Sequence, residues 1–281
     1  MIFVIILLLG ATYVAMINPG KKREHKILEV TCFAHRGLHY INGIPENSMA
    51  AFRRAKELGY GIELDVQLTK DDVLVVHHDY DLKRTCGVNK YIKDLTYQEL
   101  YQYKLMNTQE RIPRFVDVLH EIDGKVPLLI ELKMETFHTK LCKLTAEVLD
   151  QYQGLYCMES FHPYALFWFK KHRPEVIRGQ LSEQFLKEKE TKNIVAYIIM
   201  QNLLTNFITK PDFIAYKYKY KDCLPLKICR RLYRIPIYGW TFRSEKAYKR
   251  HVRDFHGFIF ERFMLYCPYI EKKSVNHKID T

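Results

Sequence analysis

The sequence predicts an α/β fold, a parallel TIM-type (β/α)8 barrel, on three observations. The chain has 281 residues, which suits one large domain, and an α/β barrel of about 250 residues is common at this size. Apolar β-type runs alternate with amphipathic helical stretches, which is typical of a parallel sheet with crossover helices. Polar residues cluster where the early predicted strands end, and barrel enzymes place their active sites there. A doubly wound open sheet shares the alternation, so counting elements does not exclude it.

The elements of the barrel can be assigned in order along the chain. The predicted strands span residues 31–34, 61–68, 127–132, 155–161, 176–181, 212–216, 235–241 and 258–260. The predicted helices span 48–58, 116–122, 139–152, 164–172, a long stretch within 185–208, 224–233 and 244–255. Residues 69–114 form a predicted insertion over one face of the barrel, with a hairpin-like run at 73–77 and a short helix near 95–101. The barrel domain covers 31–270, and residues 271–281 form a basic tail.

Composition limits the class of protein and its partners. Hydrophobic residues make up 48% of the chain, which excludes a disordered protein. The 44 Lys and Arg against 32 Asp and Glu give a net charge of +12, which favours anionic partners such as nucleic acid, phosphorylated ligands or a membrane surface. The seven cysteines include no C-x-x-C pair, so neither a zinc knuckle nor a disulfide framework is indicated. Scattered, unpaired thiols fit a reducing compartment.

Residues 1–17 read MIFVIILLLGATYVAMI and carry no charged side chain. As a helix they would reach about 25 Å, at the short end of what crosses a bilayer. A cleaved signal peptide would need positive charge before the apolar run and a small-residue cleavage site after it, and neither is present. We therefore predict a retained transmembrane anchor at 1–17, followed by a basic linker at 18–30. The basic residues on that side predict a membrane protein with its main domain in the cytoplasm.

Polar motifs lie at or near the ends of the early predicted strands. In chain order they are His35-Arg36-Gly37, Glu63-Leu64-Asp65, His77-His78-Asp79 and Glu131-Leu132-Lys133. Residues i and i+2 of a strand point to the same face, so Glu63 should point with Asp65 and Glu131 with Lys133. Helices should enclose these strands, so the polar face would point into the barrel. Buried ion pairs are costly, which favours a functional role for these residues.

Three of these residues are carboxylates that would repel one another if they converge. They are Glu63, Asp65 and Glu131. A divalent cation would relieve the repulsion, and ligation by oxygen alone points to Ca²⁺ or Mg²⁺ and not to zinc. We therefore predict a divalent cation as cofactor. A solvated acidic face is the alternative, and it fits poorly with a strand enclosed by helices.

The other ionisable residues of the motifs fit proton transfer and anion binding. His35 and His78 titrate near neutral pH and can act as acid and base. Arg36 and Lys133 supply donors for an anionic substrate, most naturally a phosphate. Together with a cation, these groups predict metal-assisted hydrolysis of a phosphodiester.

A longer set of motifs resembles the glycerophosphodiester phosphodiesterase family in order and spacing. These motifs are His35-Arg36-Gly37, Pro45-Glu46-Asn47-Ser48, Glu63-Leu64-Asp65-Val66, Leu68-Thr69-Lys70-Asp71, His78-Asp79, Arg84-Thr85, Ile112-Pro113, Ile130-Glu131-Leu132-Lys133, Ser160-Phe161 and Trp240-Thr241. The match covers roughly residues 31–262. The resemblance implies a TIM barrel with a small insertion after its second strand. It also implies a metal-dependent phosphodiesterase that converts glycerophosphodiesters to sn-glycerol 3-phosphate and an alcohol.

The resemblance also assigns roles to individual residues. The family's acid–base pair matches His35 and His78. Its metal ligands match Glu63, Asp65 and Glu131. Its phosphate-contacting cations match Arg36 and Lys133. The motif beside the family's catalytic site matches Glu46 and Asn47, and an aromatic residue of its substrate pocket matches Trp240. From the residues alone, we expect Ser160 to line the pocket, because no nucleophile-elbow motif surrounds it. The attacking oxygen, from water or from the glycerol 2-hydroxyl through a cyclic phosphate, stays open.

Two stretches depart from the family's pattern. The family's Glu-Asn-Thr is Glu46-Asn47-Ser48 here, which keeps a hydroxyl group. The family's Asp-Gly-Ile-x-Thr-Asp is His256-Gly257-Phe258-Ile259-Phe260-Glu261 here, which leaves open what the last strand contributes to the pocket. His77 precedes His78, and the family's His-Asp pattern selects His78. Asp79 is either a fourth metal ligand or a structural residue that holds the turn.

Three other functions stay open at this point. One is a lysophospholipase D or phospholipase C-like phosphodiesterase acting on lipid headgroups, which a membrane anchor favours. Another is a catalytically inactive, membrane-tethered phosphate-binding module, which would not need two proton-transfer groups. The third is nucleic-acid binding, which rests on net charge alone. We expect a small-molecule substrate, attachment to a membrane and no nucleic acid, and we interpret the basic stretch 217–221 with Lys227, Arg230 and Arg231 first as a solvated surface.

Overall fold

The computed structural model describes residues 1–20, 23–40, 43–189 and 193–265. Its nine strands form one sheet. They are β1 (Cys32–Ala34), β2 (Gly61–Leu68), β3 (Leu74–Val76), β4 (Leu128–Leu132), β5 (Tyr156–Ser160), β6 (Arg178–Ser182), β7 (Phe213–Lys217), β8 (Ile237–Phe242) and β9 (Gly257–Phe260). All except β3 run parallel, and β1 pairs with both β2 and β9, which closes the sheet. The predicted barrel is confirmed and the open sheet is excluded.

α-Helices precede the barrel, connect its strands and form part of the insertion. They are α1 (Ile2–Ile17), α2 (Met49–Glu57), α3 (Lys83–Cys86), α4 (Tyr97–Leu100), α5 (Phe115–Ile122), α6 (Lys140–Leu149), α7 (Pro163–His172), α8 (Ile194–Gln201), α9 (Asn206–Thr209), α10 (Leu224–Ile228) and α11 (Glu245–His251). The long helix predicted within 185–208 is instead two short helices, α8 and α9. Leu203 lies between them with a φ of +57°, a left-handed conformation of the kind that ends α-helices.

Side chains of β2 alternate across the barrel wall. Ile62 and Leu64 belong to the apolar layer that also contains Phe52 of α2, so Glu63 and Asp65 point into the barrel. Deeper inside, a separate apolar cluster fills the barrel; it includes Phe33, Leu129, Cys157, Phe213, Tyr238 and Ile259. The carboxylates of β2 therefore lie on an apolar floor, near the carboxyl ends of the strands.

The predicted insertion between β2 and α5 is confirmed. It contains β3, which pairs antiparallel with β2, the short helices α3 and α4, and an apolar cluster of its own that includes Val75, Leu82 and Ile92. His78 follows β3, and Arg84 lies on α3. The insertion therefore supplies side chains to the mouth of the barrel.

The apolar N-terminal segment forms α1, a helix of 16 residues. At about 1.5 Å per residue it reaches some 24 Å, less than the roughly 30 Å of a bilayer core. No helix in the described ranges is long and apolar enough to cross a membrane, so the predicted transmembrane span is not supported. The end of α1 packs on the barrel: Ile17 is fully buried, and the Tyr233 hydroxyl donates to the carbonyl of Val14 at 2.7 Å.

The cysteines differ in part from the expectation of unpaired thiols. The free thiols among the described residues are Cys86, Cys142, Cys157, Cys223 and Cys229. Cys32 is disulfide-bonded, so the expectation is wrong at this position. No spacing motif revealed it, because the fold and not the sequence separation brings two cysteines within bonding distance. The predicted tail at 271–281 lies outside the described residues.

Candidate active site

Three carboxylates from two neighbouring strands converge inside the barrel. Glu63 and Asp65 lie on β2 and Glu131 on β4, with Asp65 and Glu131 paired in register. One oxygen from each residue lies within 4.8 Å of the other two. All three residues are buried. The i, i+2 pattern of the sequence therefore brings the three predicted metal ligands together.

Burial and the charges of neighbouring groups shift the pKa of these carboxyls. Burial, followed by the charges of Asp65 and Glu131, raises the pKa of Glu63 well above its ordinary value. Burial also raises the pKa of Glu131, although the charge of Lys133 opposes it. For Asp65 burial is outweighed by neighbouring positive charges, those of His78 and Lys133 first, so its pKa lies well below its usual range. A cation among the three would relieve the repulsion at Glu63 and Glu131.

The donor set fits a hard divalent cation. Asp65 Oδ1 is buried with no hydrogen-bond partner in the described part of the chain, and Lys133 Nζ lies 3.8 Å from it. Lys133 Nζ is closer to Glu131 Oε1, at 2.9 Å. Three carboxylates without a thiolate or an imidazole match the preference of Ca²⁺ and Mg²⁺. Glu63, Asp65 and Glu131 are therefore the residues that could hold such an ion.

The loop after β1 fixes Arg36 against the carboxylates. Arg36 has a φ of +55°, which is unfavourable for a residue with a Cβ atom. Its backbone N–H donates to Glu63 Oε2 at 2.8 Å, and its Nη1 donates to Glu46 Oε1 at 2.7 Å. Its Nε lies 3.5 Å from Asp65 Oδ2, which also accepts from Asn47 Nδ2 at 2.8 Å. The Glu46-Asn47 motif therefore holds Arg36 and Asp65 in position.

His35 is oriented by a carboxylate that follows the last strand. His35 Nδ1 lies 2.5 Å from Glu261 Oε2, and His35 Nε2 lies 3.9 Å from Glu63 Oε2. Arg243 Nε donates to the other oxygen of Glu261 at 2.5 Å. Burial, and then the charge of Arg36, lowers the pKa of His35 to about 4, although Glu261 opposes this. A neutral imidazole that donates Nδ1–H to Glu261 presents Nε2 as an acceptor on the side of Glu63.

His78 is held by a chain of ion pairs in the insertion. His78 Nδ1 lies 2.6 Å from Asp79 Oδ1, and Asp79 Oδ2 accepts from Arg84 Nε at 2.6 Å. Arg84 donates in turn to both oxygens of Glu46, at 2.9 and 2.6 Å. Burial opposes ionisation of Asp79, but its hydrogen bonds with His78 and Arg84 hold its pKa below the usual range. Of the two roles open for Asp79, this geometry favours orientation of His78.

His77 and Ser160 lie outside the cluster. His77 is buried, and both of its ring nitrogens make hydrogen bonds within the insertion, so of the two adjacent histidines His78 is the one that lines the cavity. Ser160 was expected to line the pocket, but its hydroxyl donates to the carbonyl of Leu132 at 2.8 Å. Because successive residues of a strand point to opposite faces, Glu159 and Phe161 line the cavity instead.

The cluster opens into a cavity of about 110 Å³. Its lining residues are His35, Arg36, Glu63, His78, Glu131, Glu159, Phe161, Leu181, Trp240, Thr241, Arg243 and Ile259. The ring of Trp240 packs edge-on against Phe161, with centroids 5.6 Å apart. The predicted acid–base residues His35 and His78 and the predicted pocket aromatic Trp240 therefore share one cavity.

Sequence reasoning assigned no role to Glu261, Arg84 or Glu159. Glu261 stands at the last Asp of the family's Asp-Gly-Ile-x-Thr-Asp stretch. This retained carboxylate was the sequence signal for a role of Glu261 in the site. Arg84 belongs to a quoted motif, but its contact with Glu46 joins segments 38 residues apart. Glu159 and Phe161 are two residues apart and therefore share the inward face of the strand. A carboxylate on that face was the sequence signal for a role of Glu159 in the cavity.

The ion pairs of buried Glu46 with Arg36 and Arg84 are expected to stabilise the fold. Burial opposes ionisation of Glu46, but the hydrogen bond from Arg84 and the charge of Arg36 lower its pKa from 4.5 to about 2. Its contribution is therefore fully present above about pH 4.5 and is lost as the pH falls towards 2. We expect Glu46→Gln to lower the free energy of unfolding by about 3–5 kcal/mol at pH 7, and by much less near pH 2.5. Urea denaturation of both proteins at the two pH values checks this; an equal difference at both would contradict it.

A sequence model of the glycerophosphoryl diester phosphodiesterase family matches residues 35–263. The chain belongs to this family. The matched range contains the histidines and carboxylates of the cavity and also Glu261, so the resemblance inferred from the motifs is confirmed. The protein is an enzyme of the phosphodiesterase class.

Curated relatives match parts of the chain at moderate identity. A glycerophosphodiester phosphodiesterase of Caldanaerobacter subterraneus subsp. tengcongensis is 34% identical over 175 residues, which cover 57% of this chain and 70% of that protein. One from Bacillus altitudinis is 33% identical over 156 residues, covering 51% and 63%. A lysophospholipase D of Rattus norvegicus is 34% identical over 154 residues, covering 50% and 46%. The match to the second and third of these relatives spans less than two thirds of their lengths.

Solved structures share the fold over nearly the whole chain. A phosphodiesterase of Oleispira antarctica, determined in complex with the product sn-glycerol-3-phosphate, has a TM-score of 0.67 at 22% identity and covers 89% of this chain and 97% of its own. A glycerophosphodiester phosphodiesterase of Parabacteroides distasonis has a TM-score of 0.65 at 24% identity, with 93% and 100% covered. At this level of identity, the likeness shows the barrel fold.

Proposed function

We propose that this enzyme hydrolyses glycerophosphodiesters to sn-glycerol 3-phosphate and an alcohol, with the help of a divalent cation. The observation that carries the proposal is that His35 and His78 line the same cavity as Glu63 and Glu131. Each imidazole is bound through Nδ1 to a carboxylate. An acid, a base and the acidic groups that could hold a cation thus meet in one pocket. The relatives named glycerophosphodiester phosphodiesterase support the substrate class.

The two histidines move the protons in this proposal. An imidazole that donates Nδ1–H to a carboxylate presents Nε2 as an acceptor, and the carboxylate stabilises the imidazolium that forms when Nε2 takes a proton. One of His35 and His78 removes a proton from the attacking oxygen, and the other gives a proton to the leaving alkoxide. The attacking oxygen belongs either to water or to the glycerol 2-hydroxyl, which would first close a cyclic phosphate.

Arg36 and Lys133 supply positive charge to the phosphate. Burial opposes protonation of Lys133, but the charges of Glu131 and Asp65 raise its pKa, so it is charged at neutral pH. Arg36 is held beside the same carboxylates by its hydrogen bond to Glu46. When bound by Glu63, Asp65 and Glu131, Ca²⁺ or Mg²⁺ would act as a Lewis acid on a phosphoryl oxygen.

Release of glycerol 3-phosphate from a panel of glycerophosphodiesters tests this function. The panel includes glycerophosphocholine, glycerophosphoethanolamine and glycerophosphoglycerol. We expect turnover with purified enzyme, loss of turnover in EDTA, and recovery when Ca²⁺ or Mg²⁺ is restored. Full activity in EDTA would contradict the role of a cation. Absence of turnover on every member would favour a phosphate-binding module that lacks catalysis.

The contact between Glu261 and His35 makes a kinetic prediction. We expect Glu261→Gln to lower kcat at least about 10-fold with little change in KM, because an amide does not fix the Nδ1–H tautomer or stabilise the imidazolium as a carboxylate does. Glu261→Asp keeps the carboxylate and should recover most of the activity. The matched control is Arg262→Gln, which removes a cation 3.5 Å from Glu261 Oε1 that does not line the cavity and leaves the carboxylate for His35. Equal kcat for Glu261→Gln and the wild type would refute the orienting role.

Hydrolysis of lysophospholipids is the second candidate function. An apolar groove of about 280 Å³ begins at Phe137, in the loop that follows Lys133, and continues along Tyr164, Phe167 and Ile208. Such a groove offers space for an acyl chain, and a lysophospholipase D is among the relatives. Choline release from lysophosphatidylcholine and from glycerophosphocholine, measured in parallel, separates the two functions. A higher kcat/KM on the lysophospholipid would favour the second.

We propose that α1 attaches the enzyme to a membrane with the catalytic domain on the cytoplasmic side. The side chains of residues 2–9 are apolar and 48–73% exposed, and burying them in lipid is favourable. The basic residues after α1 would be attracted to the anionic cytoplasmic leaflet of a membrane, which supports the cytoplasmic side. The disulfide at Cys32 is the observation against it, because disulfides persist in oxidising compartments.

Flotation with lipid vesicles tests the attachment. The wild-type chain should float with the vesicles, and a Leu7→Glu/Leu8→Glu variant should stay at the bottom of the gradient. Protease treatment of intact spheroplasts tests the side of the membrane. Protection of the catalytic domain is expected, and its digestion before lysis would place the domain on the opposite side.

A further inference from the structure

Glu159 is a buried carboxyl group in the catalytic cavity that no step above uses. It lies on β5, is 1% exposed, and belongs to the lining of the cavity. Within the described residues, its Oε2 atom is buried and makes no hydrogen bond. A buried polar atom without a partner is costly, so its presence at this point needs an explanation.

The neighbouring strands provide no structural partner for Glu159. In register it lies opposite Glu131 on β4 and Gly179 on β6. Glu131 is an acceptor whose Oε1 already lies 2.9 Å from Lys133 Nζ. Gly179 has no side chain, and a Cβ atom there would come within 2.2 Å of the ring of Phe213. Within the described residues, neither neighbour donates a side-chain hydrogen bond to the buried Glu159 Oε2.

Glu159 also stands apart from the three carboxylates predicted to bind the cation. Oxygens of Glu63, Asp65 and Glu131 lie within 4.8 Å of one another, and Glu159 is not in that group. Its position, one strand further around the barrel, places it between the acidic cluster and the apolar wall formed by Phe161, Leu181 and Trp240. This is where the uncharged part of a bound diester would lie.

A second polar atom of the cavity lacks a partner beside this wall. Trp240 Nε1 is buried without a hydrogen bond among the residues that the structure describes. A short polyol could donate one hydroxyl to the Glu159 carboxyl and accept a hydrogen bond from Trp240 Nε1–H with another. Its CH groups would pack on the ring of Phe161. We propose that the Glu159 carboxyl hydrogen-bonds a hydroxyl group of the substrate's glycerol moiety and thereby selects diesters that carry it. This inference rests on the proposed glycerophosphodiesterase function and names the group that recognises its substrate.

Direct binding of two phosphate monoesters tests the role of Glu159 without turnover. The probes are sn-glycerol 3-phosphate and n-propyl phosphate, which has the same three-carbon chain without hydroxyl groups. Calorimetric titration of Mn²⁺-loaded wild-type enzyme should give a Kd about 10–100-fold lower for glycerol 3-phosphate. Glu159→Leu should lose that preference while keeping the wild-type Kd for n-propyl phosphate. Glu159→Gln retains a donor and an acceptor and should keep most of the preference.

Two results would overturn the role of Glu159. One is a wild-type preference that survives in Glu159→Leu, or that is absent from the wild type. The other is a weaker Mn²⁺ affinity in both variants, which would make Glu159 a cation ligand. If the leucine variant does not fold, Glu159→Met measures the same loss. Failure of the proposed function itself is read separately, as the absence of glycerol 3-phosphate release from any diester by the wild-type enzyme.

Discussion

His35→Ala is expected to lower kcat for glycerophosphodiester hydrolysis by about 10²–10⁴-fold, and His78→Ala by a similar factor. Each variant removes one of the two imidazoles that we propose to transfer protons in the cavity. The double variant should be little worse than the single ones, because residues that act as a unit have non-additive effects. Steady-state kinetics on glycerophosphocholine, with thermal unfolding followed by circular dichroism, checks both the loss of rate and the integrity of the fold.

His120→Ala is the matched control for these variants. His120 lies on α5, is exposed and does not line the cavity, so its removal should leave kcat and the melting temperature unchanged. If His35→Ala or His78→Ala kept nearly full activity, the assignment of that histidine to proton transfer would be wrong.

Glu63→Gln is expected to change stability and cation affinity in opposite directions. Because burial and the charges of Asp65 and Glu131 raise the pKa of Glu63, its ionised form destabilises the cation-free fold above pH 4.5, and glutamine removes that cost. The melting temperature in EDTA should therefore rise by a few degrees; about 1 kcal/mol corresponds to 2–4 °C for a domain of this size. The added stability that Mg²⁺ or Ca²⁺ gives the wild type should be largely lost in the variant, and kcat should fall with it.

Asp72→Asn is the control for the loss of a carboxylate. Asp72 is an exposed residue whose Oδ2 lies 2.6 Å from Lys140 Nζ. It does not belong to the buried acidic cluster. Its replacement should change neither the melting temperature in EDTA nor the stabilisation by a cation. A Glu63→Gln enzyme that is stabilised by Mg²⁺ and Ca²⁺ as strongly as the wild type would show that Glu63 does not hold the ion.

The core of the site could be predicted because its residues lie in short motifs on strands. The alternation of Glu63 with Asp65, and of Glu131 with Lys133, is visible within three residues, and parallel strands necessarily bring their carboxyl ends together. The family's His-Asp pattern selects His78 over His77, and in the structure both ring nitrogens of His77 make hydrogen bonds within the insertion.

Contacts between distant segments could not be predicted in this way. Glu261 orients His35 across 226 residues of chain, and no local pattern encodes such a pairing. Ser160 does not line the cavity as expected, because the alternation of side chains along the strand turns Glu159 and not Ser160 inward. The predicted transmembrane span is not supported, because α1 ends at Ile17 and that residue is buried in the core.

The central claim is that three carboxylates hold a divalent cation in the cavity that both imidazoles face. Crystals grown with Mn²⁺ and sn-glycerol 3-phosphate test it most directly through an anomalous difference map. We expect one strong Mn²⁺ peak within bonding distance of Glu63, Asp65 and Glu131. The phosphate should lie beside it, between His35 and His78. A peak bound elsewhere, or a phosphate out of reach of either imidazole, would contradict it.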